Sequence, residues 1–319
     1  MTNRLTRLLK YSICAVLLAG TALAADSDSL RLIPSGTGVV IGINLEQIRA
    51  SKFGQMIFAQ VESQAKANND PSAAVALDFV RGIREILVAA PSGGQKGRGL
   101  ILVAGTFDAT PLVGIAKMAG LTESTVQGVT VYTKEQDQPF SVALAEPSLI
   151  IAGDSPSVKA ALASRVAASS GLDPAAAAKL RAVRASNHIW ILTTAPLADL
   201  MHSAPQGAFG GALQGDAVKS IQQISGGLTF GPKVLVSFEV VTLTEKDATG
   251  MADGLKMLIG LATSGDGAKQ LAPLLQTLDL RADGNIMKLS LSIPEEDLIK
   301  LVQSGMQGKK EPPPPPKPE

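Results

Sequence analysis

The segment Ile86–Leu121 constrains the fold more than any other part of the chain. Two apolar runs, Ile86–Ala90 and Leu100–Phe107, have the length and residue types of strands, and a glycine-rich turn separates them. Asp108 then supplies N-cap chemistry for a short helix that ends at Gly120. This order predicts two neighbouring antiparallel strands followed by a helix.

The same order of elements returns later in the chain, at Val234–Leu261. Two further pairs of segments follow the same pattern: Val39–Lys52 with Ile189–Ser203, and Leu149–Ser164 with Met287–Ser304. The pairing depends on the pattern of strands and helices and not on residue identity. It predicts an internal repeat.

Strands mixed with helices, with many adjacent strand pairs, predict an α+β fold with largely antiparallel sheets. We expect two similar halves of ferredoxin-like, split βαβ units, the first at residues 25–185 and the second at 186–306. Within the second half, Val218, Ile221 and Ile224 predict a helix, and Leu271–Leu278 predicts another.

The N-terminus has the features of a secretory signal peptide. Three basic residues precede an apolar run, Ile13–Leu23, which closes on a small-residue cleavage site ending at Ala24. The run is shorter than the roughly 20 residues that span a bilayer. We therefore expect cleavage after Ala24, a periplasmic or secreted protein, and no transmembrane segment in the mature chain.

Composition argues against several classes of function. The one cysteine, Cys14, lies in the predicted signal peptide, so the mature chain would have no disulfide, thiol nucleophile or cysteine-bound metal. Cleavage would change the chain from 29 basic and 28 acidic residues to 26 and 28, and aromatic residues make up only 3%. This near-neutral, aromatic-poor chain lacks the features of a nucleic-acid binder. Residues 307–319, with five consecutive prolines, predict a disordered, extended tail.

Two glycine-rich segments resemble phosphate-binding loops in composition but not in context. Gly36–Gly42 enters a strand, whereas a dinucleotide-binding loop follows a strand and opens a helix. Ser92–Gly99 joins two strands and lacks the G-K-[ST] ending of a P-loop. We therefore predict no cofactor, and we keep Lys96 and Arg98 of the second segment as a possible partner-contact loop for an anionic partner.

The histidines and the acidic helix starts do not form a recognisable catalytic or metal motif. His188 and His202 are the only histidines, and they lack the further ligands that a zinc site needs. A Ser-His-Asp triad can be assembled in space, but the G-x-S-x-G elbow is missing. Asp108, Asp154 and Glu295–Asp297 stand where helices begin, which predicts capping. We therefore assign no catalytic residue and no metal ligand.

The segment IPSGTGVVIGINLEQIRASKFGQ resembles the opening of uncharacterised secreted proteins from soil bacteria. Those proteins open with a proline, a polar turn, a strand that ends in Asn and a helix reading R-x-S-x-F-G-Q. Arg49, Ser51, Phe53, Gly54 and Gln55 fit this helix. The resemblance covers about 25 residues and implies an exported family of unknown role, from which no functional residue carries over.

These observations favour an exported, non-catalytic protein of the cell envelope that acts by binding or structural contacts with an envelope protein or surface partner. One alternative is a periplasmic protein that binds a small molecule or lipid in a cleft between the halves. A second alternative is a hydrolase whose active site is assembled from loops.

The signal peptide generates a direct prediction. N-terminal sequencing of the exported protein is expected to begin at Ala25, because the small-residue site ends at Ala24. A mature protein that still begins at Met1 would contradict it.

Overall fold

The computed structural model describes residues 29–67, 71–93, 98–106, 108, 110–135, 139–146, 148–167, 171–201, 216–262 and 275–307. The predicted signal peptide and almost all of the predicted proline-rich tail lie outside the described residues, as do Lys96 and His202.

The strands of the described residues are β1 Thr37–Asn44, β2 Ile83–Pro91, β3 Leu100–Gly105, β4 Thr122–Val126, β5 Val129–Lys134, β6 Phe140–Glu146, β7 Leu149–Asp154, β8 Ile189–Thr193, β9 Ile221–Thr229, β10 Lys233–Thr242, β11 Asp279–Asp283 and β12 Ile286–Pro294. The helices are α1 Leu45–Ala50, α2 Lys52–Ala67, α3 Pro71–Gly82, α4 Thr110–Met118, α5 Ser155–Ala167, α6 Pro174–Ser186, α7 Leu197–Met201, α8 Asp216–Ser220, α9 Glu245–Ala262 and α10 Glu295–Gln307.

All twelve strands form one antiparallel sheet in the order β11-β12-β10-β9-β8-β1-β2-β3-β7-β6-β5-β4. The two halves of the chain meet at the β1–β8 pair. Outward from this pair the order is β1-β2-β3-β7 on one side and β8-β9-β10-β12 on the other. The α+β fold with a largely antiparallel sheet and two halves is thus confirmed.

The largest hydrophobic core lies on one face of the first half of the sheet. Alternate residues of β1, β2, β3 and β7 point into it, as period-two patterning requires. Helices α5 and α6 cover this face with Val158, Leu162 and Leu180, which are fully buried. The segment Leu30–Ile33 closes the same core.

A second core lies on the opposite face, in the second half of the sheet. Val240 and Met287 point from β10 and β12 into this core, and α9 covers them. Ala248 and Ala252 of α9 are almost fully buried, so the helix backbone lies close to the strands. The other face of β12 carries Lys288 and two serines, as the alternation in its sequence predicts.

Helix α6 crosses the middle of the sheet and is held there by ion pairs to strands of both halves. The Lys179 ammonium lies 2.6 Å from the carboxylate of Glu239 on β10. Arg184 makes two hydrogen bonds, of 2.8 and 2.6 Å, to the carboxylate of Glu85 on β2, which is buried. A bidentate, desolvated pair fixes orientation strongly, because loss of either partner would leave a buried charge.

A tryptophan and a glycine pack against each other where the halves meet. Trp190 of β8 stands directly opposite Gly42 of β1 and is 1% exposed. A Cβ atom built on Gly42 would lie 2.1 Å from two atoms of the indole ring. The indole therefore occupies the space that any other residue at position 42 would need.

One predicted helix is wrong in part. Only α8, Asp216–Ser220, is helical, whereas Ile221 and Ile224 lie in strand β9. Pairing of β9 with both β8 and β10 outweighs the weak helical periodicity of this segment. The helix predicted at Leu271–Leu278 falls largely outside the described residues.

Replacing Gly42 by Ala is expected to lower the free energy of unfolding by about 2–3 kcal/mol, because the new methyl group overlaps the Trp190 indole. Gly250→Ala in α9 is the matched control. It meets no heavy atom within 4 Å and is expected to stabilise the protein by about 0.5–1 kcal/mol. Urea unfolding followed by the fluorescence of Trp190, the one tryptophan of the chain, measures both effects. Equal stabilities of the two variants would contradict the packing argument.

Candidate functional site

The predicted partner-contact loop is only partly described. Arg98 is exposed and lies near Asp154, whereas Lys96 falls outside the described residues. Burial raises the pKa of Asp154, but hydrogen bonds from Ser157 and the Gly99 N–H, together with the charge of Arg98, outweigh it and leave the pKa below its ordinary value. The described part of this loop thus shows Arg98 acting on a carboxylate of its own chain.

Among the acidic residues at helix starts, Asp108, Asp154 and Glu295 accept backbone hydrogen bonds, whereas Glu296 and Asp297 form ion pairs with Lys52 at 3.4 Å and Lys300 at 3.2 Å. Asp108 accepts from the N–H of Thr110 at 2.8 Å, and Asp154 accepts from Gly99 at 2.7 Å and Ser157 at 3.0 Å. Glu295 is buried and accepts from the N–H of Phe53 at 2.9 Å. Glu295 therefore binds the first turn of α2 although it belongs to α10.

The residues of the R-x-S-x-F-G-Q segment form a tight corner between α1 and α2. The hydroxyl of Ser51 donates to the carbonyl of Ile48 at 2.7 Å and accepts from the N–H of Gly54 at 3.0 Å. A Cβ atom on Gly54 would lie 1.9 Å from the same carbonyl oxygen. Phe53 stacks on Phe230 with ring centroids 5.3 Å apart. These contacts explain why serine, phenylalanine and glycine stand at positions 51, 53 and 54.

A cavity of about 430 Å³ opens beside this corner, where α3 ends and β2 begins. Its lining residues are Glu46, Arg49, Arg81, Gly82, Ile83, Arg84 and Thr106. The guanidinium of Arg49 donates to the carbonyls of Leu45, Arg81 and Ile83, so it holds the end of α3 against α1. Arg81 pairs with Glu62 at 2.7 Å and Asp78 at 3.2 Å. The sequence pattern does not predict this cluster, although Arg49 belongs to the R-x-S-x-F-G-Q segment.

His188 also has a structural role. Its Nδ1 accepts from the N–H of Phe230 at 3.1 Å, and its ring lies 6.2 Å from the Phe230 ring. Burial lowers the pKa of His188 below its ordinary value of 6.5, because a neutral ring is favoured there. The neutral form is also the one that can accept at Nδ1.

A row of apolar side chains crosses the first half of the sheet on the face opposite the large core. The row consists of Ile191, Ile41, Val88, Ile101, Ala152 and Val142, each paired in register with the next. We call these six residues the apolar row. Strands lie about 4.8 Å apart, so the row spans about 24 Å.

The apolar row is partly exposed along its length. Ile101 is 40% exposed and the other five residues are half-buried. None of the six belongs to the hydrophobic clusters that the described residues form. Aliphatic residues gathered in register and left partly open to solvent are typical of a contact surface.

The described residues contain neither a metal-binding cluster nor a membrane-spanning helix. No group of three or more His, Cys, Asp or Glu side chains among them is placed to hold a metal ion. Within the same residues, the helices fall short of the length and apolar content that crossing a bilayer requires.

Comparison with known proteins shows the fold alone. No protein-family model and no curated protein matches the chain. Crystal form III of TP0453 superposes with a TM-score of 0.50 at 13% identity, covering 86% of this chain and 97% of TP0453. Crystal form IV of TP0453 gives a TM-score of 0.48 at 13% identity, covering 86% and 95%. The likeness to crystal form III is consistent with the two-halves α+β architecture.

The half-buried, neutral His188 is expected to make the free energy of unfolding depend on pH. The pKa of His188 in the folded protein lies below its ordinary value of 6.5. The contribution of the neutral ring to the free energy of unfolding is therefore complete above pH 6.5, and it is lost as the pH falls through the pKa of the folded state. His188→Asn keeps an acceptor for the Phe230 N–H and cannot titrate. Urea midpoints measured from about pH 7.5 to 5.5 should fall more steeply in the wild type than in the variant. Parallel curves would contradict this role.

Proposed function

We propose that the chain is an exported, non-catalytic protein of the cell envelope that acts by binding a protein partner through the apolar row. The observation that carries the proposal is the register of six aliphatic residues on one partly exposed sheet face. A rigid sheet holds such a surface in one shape, which reduces the ordering cost of binding.

The polar contacts support a binding protein rather than a hydrolase. Asp108, Asp154 and Glu295 cap backbone N–H groups, and His188 accepts from Phe230. Each of these groups has a structural use that accounts for its position. A catalytic group, in contrast, needs a free face toward a substrate.

The predicted signal peptide supports the location. Residues 1–24 would direct the chain to the periplasm or the exterior, where the partner is expected to be an envelope protein.

A small apolar molecule or a lipid is the second candidate for the partner. The aliphatic character of the apolar row favours it, because ligand sites are lined mainly by apolar side chains.

Ile101→Glu is expected to abolish partner binding, because it places a charge in the middle of the apolar row. Leu235→Glu is the matched control, since Leu235 is 49% exposed, also in a strand, and on the opposite sheet face. Envelope extract of the producing cells is passed over each immobilised mature chain, and the recovered partner is quantified. The wild type and Leu235→Glu should retain the partner, and the amount of partner recovered with Ile101→Glu should be at least about tenfold lower. If all three proteins recover the same amount of partner and have equal unfolding midpoints, the proposal is contradicted.

A further inference from the structure

The apolar row is half of a longer row whose other half is already covered. From Ile191 the same line of paired residues continues through Gly226, Phe238, Leu289 and Leu280 in the second half. One face of one sheet therefore has a line of paired apolar residues across ten strands, with a glycine, Gly226, at the β9 position. The two parts differ in what lies over them.

In the second half an amphipathic helix covers this face. Met251, Leu255 and Ile259 of α9 pack against the cluster that contains Leu280, and Leu289 of β12 packs against the same cluster. Ala248 and Ala252 are 0% and 2% exposed, so small side chains let the helix axis approach the strands. With 18 residues, α9 is about 27 Å long, which is enough to cross several strands.

In the first half the helix in the corresponding position of the chain is too short to do this. Helix α4 follows β3 as α9 follows β10, but it has 9 residues and is about 13 Å long. Its Ile115 and Met118 are 55% and 83% exposed. Within the described residues, none of the six residues of the apolar row belongs to a hydrophobic cluster, whereas Leu280 and Leu289 of the other part lie in the cluster to which α9 contributes.

We propose that the apolar row is the seat of an amphipathic helix from a partner protein, lying on the first half of the sheet as α9 lies on the second. The partner helix has the chemistry of α9: aliphatic residues at spacings of three and four, with alanine or glycine where the helix meets the strands. This inference rests on the proposed function and specifies its partner.

The α9 sequence itself is the probe. A labelled peptide of residues 245–262 is synthesised with a lactam bridge between positions 257 and 261, whose native side chains are 64% and 65% exposed. The bridge is needed because isolated helices of this length are marginal in water. The peptide is titrated into the full mature chain and followed by fluorescence anisotropy.

Saturable binding is expected, weakened at least tenfold by Ile101→Glu in the protein and by Leu255→Asp in the peptide. Leu235→Glu should bind as the wild type does. No saturable binding, or equal binding by Ile101→Glu, would overturn the helix seat.

Three parallel measurements separate the other occupants. If the peptide does not bind the wild type, but dodecanoate binds the wild type and not Ile101→Glu, the helix seat is overturned in favour of a small apolar ligand. Self-association that Ile101→Glu abolishes, again without peptide binding, would assign the row to a second copy of the chain. If Ile101→Glu abolishes capture of the partner but the peptide does not bind the wild type, the helix seat is overturned and the proposed function stands.

Discussion

The antiparallel pairing of β1 with β8 is the contact on which the rest of the structure depends. It is the only strand pair among the described residues that joins the two halves, and five residues of each strand stand in register. Gly42 opposite Trp190 lets the strands pair without a clash. Helix α6 braces the junction, because its two ion pairs reach Glu239 and Glu85 on opposite sides of it. The junction makes one continuous sheet out of two halves.

Because the sheet is continuous, both halves of the chain share the same two sheet faces. The large core fills one face in the first half, under α5 and α6, and the second core fills the other face in the second half, under α9. Among the described residues, the hydrophobic clusters on that second face include no residue of the apolar row. Helix α4 has 9 residues and α9 has 18, and α9 contributes to the core of the second half.

Much of the fold could be predicted from local signals. The β2–β3–α4 module, the Asn44 cap of α1 and the polar face of β12 all follow from periodicity and capping residues near each other in the chain. Strand β4 was missed because its residues, Thr-Glu-Ser-Thr-Val, are nearly all exposed and polar at a sheet edge. The turn at Gln127 and Gly128, both with positive φ, was its one local signal.

The site could not be predicted in the same way, because it exists only through long-range register. Ile41, Val88 and Ile101 each look like ordinary buried strand residues in the sequence. Their alignment depends on how distant strands pair, and their exposure depends on which other elements pack on that face of the sheet. The contacts of Arg49 with carbonyls more than thirty residues away were hidden for the same reason. The capping roles of Asp108 and Asp154 were predictable, because their acceptor and donor groups are close in the chain.

Site-specific photo-cross-linking shows whether the apolar row contacts a partner in the cell. A photoreactive phenylalanine analogue is placed at Val88 in the apolar row, and in a second protein at Ser237, which is exposed on the opposite sheet face. We predict that irradiation in the producing cells yields a covalent partner adduct from position 88 and not from position 237. Adducts from position 237 alone, or from neither position, would contradict it.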